Sequence, residues 1–258
     1  MLLKIIACEV FTREICYCVA TSPNVVDLEF TPKGAHTDAN VLRRLLQLRI
    51  DEANASGKNY DAIVLGLGLC GNSTVGLVSR GAPLVVPRAH DCCTLFMGSK
   101  ERYTEHFADN PSQAFSSAGY IEHGGDFMRE ADEFHRQMGF DRTYAEYVEQ
   151  YGAENAAFIW ETLHPVRVEE QRDHRVVYIE VPEFAHLGYA GQCREKAEAE
   201  GKCFLQLEGN LNLIRKMVHG EWDDRDFLVL KPNETIAGVY DWDEVLRAAP
   251  PDSEKNAS

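Results

Sequence analysis

The stretch AIVLGLGLCGNSTVGL, residues 62–77, decides the fold. Its first five residues form an apolar run that predicts a buried strand, and glycines, a cysteine and an asparagine follow where that strand ends. The glycines have a structural explanation, because glycine allows positive φ and a close approach of the backbone to a neighbouring element. They equally suit a ligand site, because ligands of open α/β sheets bind beyond the carboxyl ends of the strands.

Continuous apolar runs of the same kind recur along the chain and predict strands that are buried on both faces. They lie at Lys4–Cys8, Val25–Phe30, Ala62–Leu65, Leu84–Val86, Val176–Val181, Cys203–Leu207 and Phe227–Leu230. Helical patterns are found at Asp38–Ala55, Cys92–Phe107, Asp126–Met138, Thr143–Leu163, Ala185–Glu200, Asn210–His219 and Trp242–Ala248. Strands that alternate with helices predict an α/β fold with a mostly parallel, doubly wound, Rossmann-like sheet.

The 258 residues suffice for one large domain or for two closely packed lobes. We expect an N-terminal α/β half over residues 1–110, which carries the functional site, and a C-terminal α/β half over residues 166–248. The stretch between them, residues 111–165, lacks strand runs and is predicted to be helical. The polar end of the chain, residues 249–258, predicts a disordered tail.

The charge of the chain restricts its partners. Its 26 lysines and arginines against 41 aspartates and glutamates give a formal net charge of −15, which argues against nucleic acid and against an anionic membrane surface. No apolar run reaches the roughly 18 residues of a membrane span, and the first residues lack the pattern of a signal peptide. We therefore expect a cytoplasmic protein that binds a small molecule and keeps its eight cysteines reduced.

Cysteine or histidine follows three of the N-terminal strand runs, which end in ACE (7–9), GLCGN (68–72) and PRAHDCC (87–93). In a doubly wound sheet these ends share one edge, so Cys8, Cys70, His90 and Cys92 are candidate ligands of a metal ion. Thiolate and imidazole suit zinc and iron, including iron–sulfur clusters. The alternative for each cysteine is a structural role as a small buried hydrophobe.

Polar residues beside these candidates suggest the rest of a site. Glu9 and Asp91 are candidate proton-transfer groups. Arg88 is a candidate substrate ligand, because a guanidinium binds a carboxylate or phosphate through two parallel hydrogen bonds, and Asn72 and Gly71 are candidates for the same role. The structural alternatives are that Asp91 caps the following helix and that Arg88 forms an ion pair with Glu9 or another carboxylate.

The run GLGLCG, residues 66–71, superficially resembles a dinucleotide-binding fingerprint. It follows the third strand run, however, and the acidic residue expected about 20 residues later is replaced by His90 and Asp91. The run is therefore only a weak indication of NAD binding.

Several blocks of the sequence match a known family: ACEV (7–10), YDAIVLGLGLCGN (60–72), PLVVPRAHDCCTLFMGSKERY (83–103), GYIE (119–122) and LEGNLNLIRKMVHGEWDDRDFLVLKP (207–232). On these blocks the chain resembles the bacterial and archaeal domain-of-unknown-function family 1638 over nearly its whole length. The resemblance supplies no established catalytic residues. It implies a setting in one-carbon metabolism, with a protein of a corrinoid-dependent methyltransferase system as partner. Cys93 stands where relatives commonly have an aliphatic residue, which favours Cys92 over Cys93 as a ligand.

Three functions remain open at this point. The first is a metal-dependent enzyme that acts on a small polar, anionic metabolite, in one-carbon or methylamine metabolism. The second is a non-enzymatic carrier of a metal or cofactor that serves a methyltransferase system. The third is a metal-free thiol enzyme. Elemental analysis of protein purified without oxygen separates the first two from the third.

Overall fold

The structure is a computed structural model that describes residues 1–108, 113–124, 148, 152–153, 175–239 and 244–250. The described strands are β1 (Leu2–Cys8), β2 (Val25–Thr31), β3 (Ala62–Gly66), β4 (Leu84–Pro87), β5 (Phe115–Ser116), β6 (Arg175–Glu180), β7 (Cys203–Glu208), β8 (Phe227–Leu230), β9 (Thr235–Gly238) and β10 (Leu246–Ala249). The described α-helices are α1 (Thr12–Val19), α2 (Ala39–Ala55), α3 (Cys92–Met97), α4 (Lys100–Phe107), α5 (Ala118–Glu122), α6 (Tyr189–Ala199) and α7 (Asn212–His219). Short 3-10 helices lie at Glu9–Phe11, Lys33–Thr37 and Pro182–Leu187.

The larger sheet has five strands in the order β2-β1-β3-β4-β8. The first four are parallel, and β8 joins β4 in the antiparallel sense. Every residue of β3 is buried, as expected for a central strand with both faces covered. The chain crosses the sheet in one direction from β1 to β2 and in the opposite direction from β2 to β3. Right-handed crossovers therefore place α1 and α2 on opposite faces of the sheet. The predicted α/β class with a mostly parallel sheet is confirmed.

A smaller parallel sheet, in the order β5-β6-β7, shares its core with the larger one. Val177, Ile179 and Leu207 of the smaller sheet belong to the same apolar cluster as the residues of β1 and β3. The side chain of Phe96 on α3 connects the two sheets, with its ring centroid 4.5 Å from that of Phe11 and 6.2 Å from that of Phe115. The two α/β halves therefore bury a common set of apolar side chains.

Each of the seven apolar runs forms a strand, but the helix predicted at Trp242–Ala248 is wrong. Leu246–Ala249 forms β10, which pairs with β9 in an antiparallel hairpin. The local helical pattern is weak, so backbone pairing with β9 outweighs it. Within the described part of residues 111–165, Phe115–Ser116 forms the edge strand β5 beside β6, and Ala118–Glu122 forms α5.

The helix predicted at Cys92–Phe107 is divided into α3 and α4. Gly98 has a φ of +78°, which ends α3 in a left-handed turn. The hydroxyl of Ser99 then accepts a hydrogen bond from the backbone N–H of Arg102 at 3.2 Å and begins α4. A single glycine thus separates the helix that follows β4 from the next helix.

Some predictions concern residues that the structure does not describe. The predicted helices over residues 126–138 and 143–163 lie wholly or almost wholly outside the described residues, as does the part of the predicted tail beyond residue 250. Within the described residues, no helix combines the length and the apolar character needed to cross a membrane.

Candidate functional site

The candidate site lies at the carboxyl edge of the larger sheet, where β1, β3 and β4 end side by side. The strand that follows β1 in sequence, β2, lies on one side of β1, and the next strand, β3, lies on its other side. The strand order therefore reverses between β1 and β3. Such a switch point opens a crevice at the carboxyl ends of the strands, where open α/β proteins bind their ligands. Cys8 is the last residue of β1, and the loops after β3 and β4 carry Cys70 and Cys92.

The loop after β3 is fixed against the loop after β4. The backbone N–H of Leu69 donates to the Ala89 carbonyl at 2.8 Å, and the N–H of Cys70 donates to the His90 carbonyl at 3.0 Å. Glycine at position 68 permits this approach, because a Cβ there would lie 2.7 Å from the Cα of Asp91. The glycines of the 62–77 stretch therefore bring two cysteine-bearing loops together.

Cys70 itself lies in a strained turn. Its φ is +43°, that of Gly71 is +65° and that of Asn72 is +67°. Left-handed backbone costs a residue other than glycine about 1–2 kcal/mol. Residues held in such conformations concentrate at functional sites, where the surrounding structure enforces them.

Cys8, Cys70 and Cys92 come together beneath this turn, and we call them the thiol cluster. The Sγ atoms of Cys70 and Cys92 lie 4.0 Å apart. A hydrogen bond from the Cys92 thiol lowers the pKa of Cys8, although burial opposes that effect. The hydrogen bonds of Cys92 with Cys70 and Cys8, together with its own burial, raise the pKa of Cys92 well above its ordinary value. Cys8 therefore loses its proton more readily than an ordinary cysteine, and Cys92 loses its proton less readily.

The thiol cluster contains three of the four predicted metal ligands. The fourth, His90, has its ring stacked on that of Tyr103 of α4, with the centroids 6.2 Å apart. Among the described residues, no group of three or more histidine, cysteine, aspartate and glutamate side chains is arranged so that it could hold a metal ion. Whether these residues bind a metal ion stays a prediction.

Glu9 follows Cys8 directly and has two polar neighbours. Its Oε1 accepts a hydrogen bond from the backbone N–H of Lys33 at 2.7 Å, and its Oε2 lies 3.7 Å from Nδ1 of His123. The carboxylate of Glu9 and the imidazole of His123 are each about 30% exposed, so both reach solvent. A carboxylate and an imidazole at this separation are groups of the kind that transfer protons in enzymes.

Lys33 lies just beyond the end of β2, next to β1 in the sheet. Its ammonium group lies 5.8 Å from the centroid of the Tyr120 ring, and a side chain at Gly124 would collide with it. The positive charge of Lys33 contributes to lowering the pKa of Cys8, whereas the negative charge of Glu9 opposes this. The positive charge of Lys33 therefore favours the thiolate form of Cys8.

Asp91 caps a helix, as its structural alternative predicts, and Arg88 binds structural partners that differ from the predicted carboxylate. One carboxylate oxygen of Asp91 accepts a hydrogen bond from the backbone N–H of Thr94 at 3.2 Å and caps α3. The partners of Arg88 are backbone carbonyls rather than Glu9: its Nε donates to the Asp224 carbonyl at 2.9 Å, and its Nη1 donates to Glu244 at 2.7 Å and also to Leu246. Arg88 thus fastens the β9–β10 hairpin to the sheet.

Asn72 and Gly71 lie at the solvent side of the turn. Asn72 lines a cavity of about 400 Å³ that it shares with residues of β9, and its carbonyl accepts a hydrogen bond from Nη2 of Arg43 at 2.6 Å. Gly71 is exposed, and a Cβ built on it would meet no atom within 4 Å. Whether either residue contacts a substrate stays a prediction.

Sequence reasoning missed Lys33 and His123. Lys33 carries the same signal as the cysteines, because it follows a strand run that ends at the same edge, but the comparison of strand ends considered only cysteine and histidine. His123 follows the GYIE block, whose glycine packs α5 against the 3-10 helix Glu9–Phe11: a Cβ at Gly119 would overlap the carbonyl of Val10. No spacing within the sequence connects His123 to Glu9.

The fold and the site define an α/β protein with a cluster of three cysteines at the switch point of its sheet. A family model described as protein of unknown function (DUF1638) matches residues 30–218, about three quarters of the chain. The chain belongs to this family. Neither a curated protein nor a solved structure matches it.

Proposed function

We propose that this protein is a thiol-dependent enzyme that acts on a small, polar, anionic metabolite, with Cys8 as its nucleophile. The observation that carries the proposal is the convergence of Cys8, Cys70 and Cys92 at the β1/β3 switch point. Three free cysteines meet there, from the end of β1, the loop after β3 and the start of α3, beside a cation and a carboxylate–imidazole pair. A purely structural cysteine needs neither neighbour.

Each residue has a distinct part in the proposed reaction. Lys33 attracts the negative group of the substrate into the crevice. The thiolate of Cys8 adds to an electrophilic carbonyl carbon of the substrate and forms a C–S bond, while the π electrons of that carbonyl move to its oxygen. The pair formed by Glu9 and His123 then supplies a proton to the oxygen, and the thiol of Cys92 stabilises the Cys8 thiolate before the attack.

The wider setting belongs to the same proposal. A reducing compartment such as the cytoplasm would keep the thiol cluster reduced. The family resemblance supports a substrate from one-carbon metabolism and a methyltransferase-system protein as partner, and both belong to the proposal.

Alkylation tests the nucleophile. At about pH 6, iodoacetamide should modify Cys8 faster than Cys16, although Cys16 is the more exposed, because the thiolate is the reactive species and the pKa of Cys16 is raised by burial of part of its side chain. Peptide mass spectrometry identifies the modified cysteine. Equal or slower reaction at Cys8 would remove it from the role of nucleophile.

A comparison of two reagents tests Lys33. Iodoacetate is anionic and iodoacetamide is neutral, so the ratio of their rates at Cys8 reports attraction of a negative charge. Lys33→Ala should lower this ratio, whereas Lys231→Ala, which removes the same charge from an exposed position, should leave it unchanged. An equal effect of both variants would mean that only the overall charge of the protein matters.

A carrier of a metal or cofactor is the second candidate function. It is favoured by the 4.0 Å separation of the Cys70 and Cys92 sulfurs. A tetrahedral zinc ion with bonds of about 2.3 Å holds two thiolate sulfurs about 3.8 Å apart. Elemental analysis after purification without oxygen decides between the candidates: about one zinc or iron per chain, lost in Cys70→Ser, supports the carrier, and its absence together with a reactive Cys8 supports the enzyme.

A further inference from the structure

A second cavity, of about 570 Å³, lies away from the thiol cluster, at the carboxyl ends of β6 and β7. Its lining comes from the end of α1, the start of α4, the loop after β6 and the loop that joins β7 to α7. The volume lies in the range of small-molecule sites. The position is again the carboxyl edge of parallel strands, where α/β proteins bind ligands.

Two arginines from different elements line this cavity. Nη2 of Arg102, on α4, donates to the carbonyl of Glu208, and Nη2 of Arg215, on α7, donates to the side-chain oxygen of Asn212 at 3.0 Å. Glu183 and Glu208 also line the cavity, but no carboxylate of the described residues forms an ion pair with either arginine. In a chain of net charge −15, two arginines that share a cavity without a carboxylate partner require an explanation.

Arg102 provides an independent sign of a missing partner. Its Nε is buried and, among the described residues, has no hydrogen-bond acceptor. A buried donor without an acceptor costs about 1–3 kcal/mol, and more when the group is charged. An oxyanion bound beside Arg102 supplies this acceptor only if the guanidinium turns to face the cavity.

The wall beside the arginines is held in place before any ligand arrives. The backbone N–H of Gly209 donates to the Glu180 carbonyl at 2.7 Å, and the N–H of Asn210 donates to the Phe96 carbonyl at 2.8 Å. A Cβ at position 209 would lie 3.0 Å from the Phe96 carbonyl oxygen, so glycine permits this packing. A fixed loop lowers the entropy cost of binding.

We infer that this cavity binds a small metabolite through an oxyanion, a phosphate or a carboxylate, which Arg102 and Arg215 hold together. A guanidinium offers two parallel N–H groups to such an anion, and two guanidiniums can neutralise a doubly charged one. Tyr17 lines the same cavity and is half exposed, so its ring can cover the organic part of the ligand. None of the three cysteines of the thiol cluster lines the cavity, which makes this site distinct from the proposed active site.

Calorimetric titration tests the inference. Inorganic phosphate and succinate are titrated into the protein at constant ionic strength, with chloride as the balancing anion. At least one of them should give saturable heat, and the one that does identifies the ligand as a phosphate or as a carboxylate. Arg215→Ala should weaken that binding at least tenfold. Arg215 is exposed, and within the described residues its guanidinium donates a hydrogen bond only to Asn212 of its own helix, so the fold should persist.

Two control variants isolate the site. Arg44→Ala removes an equal charge from an exposed position on α2 and should leave the affinity unchanged. Cys8→Ala should also leave it unchanged, so failure of the proposed active site and failure of this second site are distinguishable. The inference is overturned if neither anion gives saturable heat, or if Arg44→Ala weakens binding as much as Arg215→Ala. Arg102→Lys keeps the charge but loses the two-pronged geometry, and unchanged affinity there would refute the role of Arg102.

Discussion

Substitution of Gly68 by alanine tests how the site is assembled. The new methyl group would lie 2.7 Å from the Cα of Asp91 and 2.8 Å from its backbone N and C atoms. These are main-chain atoms, which cannot rotate away as a side chain can. The loop after β3 must therefore move away from the loop after β4.

The size of the effect follows from the contacts that this movement breaks. Two backbone hydrogen bonds join the loops, from Leu69 to Ala89 at 2.8 Å and from Cys70 to His90 at 3.0 Å. A hydrogen bond contributes about 1 kcal/mol, and an overpacked interior position costs about 1–3 kcal/mol. Gly68→Ala should therefore lower the free energy of unfolding by about 3–5 kcal/mol. A stability of about 10 kcal/mol, in the middle of the ordinary range of about 5–15 kcal/mol, leaves the variant folded after such a loss.

Urea unfolding measures this loss, and thiol labelling measures its effect on the site. Gly71→Ala is the matched control, because a Cβ at Gly71 meets no atom within 4 Å and its cost comes from its φ of +65°, about 1–2 kcal/mol. In Gly68→Ala, Cys92 should react faster with a thiol reagent, because the loop that covers it has moved. The reasoning is refuted if Gly68→Ala costs no more than Gly71→Ala and leaves Cys92 as protected as before.

Three further substitutions have definite expected outcomes. Burial raises the pKa of Glu14 from 4.5 to about 7, so the stability that its protonated form contributes is present below pH 4.5 and is lost as the pH rises through about 7. Glu14→Gln should therefore stabilise the protein by about 3 kcal/mol at pH 8 and have little effect at pH 4.5. Urea unfolding at the two pH values measures this difference. Arg88→Ala removes the donor to three backbone carbonyls and should lower stability by about 2–3 kcal/mol without any ligand, and an unchanged melting temperature would contradict this. Cys70→Gly should raise the urea midpoint, because the relief that glycine gives at a φ of +43° outweighs the lost contact with Cys92. A lower midpoint would mean that the thiol itself stabilises the turn.

The strands were predictable because their physical cause is local. A strand buried on both faces must be apolar at successive positions, and each of the seven runs with that property forms a strand. The short strand Phe115–Ser116 and the hairpin strand Leu246–Ala249 lack such a run. The first pairs with β6, which is distant in sequence, and the second pairs with β9 across a hairpin. Contacts with these partner strands therefore decide their conformation.

The convergence of the three cysteines of the candidate site was predictable for a different reason, whereas the directions of the neighbouring side chains were not. Parallel strands end at one edge, so topology alone brings Cys8, Cys70 and Cys92 to the same side of the sheet. Whether a side chain then points into the crevice depends on the loop that carries it. Cys70 is turned toward Cys92 by a φ of +43°, whereas the ring of His90, in the opposing loop, stacks on Tyr103. No pattern in the sequence records that difference.

The position of Lys33 beside Cys8 follows from the order of the strands. Because β2 is the neighbour of β1, a residue that follows β2 lies beside the residue that ends β1, and here the pair is Lys33 and Cys8. A cation at that position changes the chemistry of the thiol, since a positive charge favours the thiolate and attracts an anion to it. A search for metal ligands overlooks this residue because lysine rarely coordinates metals. A search for a reactive thiol includes it, because a cation near the sulfur is what such a thiol requires. The ends of β1, β3 and β4 therefore suggest a metal centre when only cysteine and histidine are compared, whereas the end of β2 adds a cation that favours the proposed thiolate at Cys8.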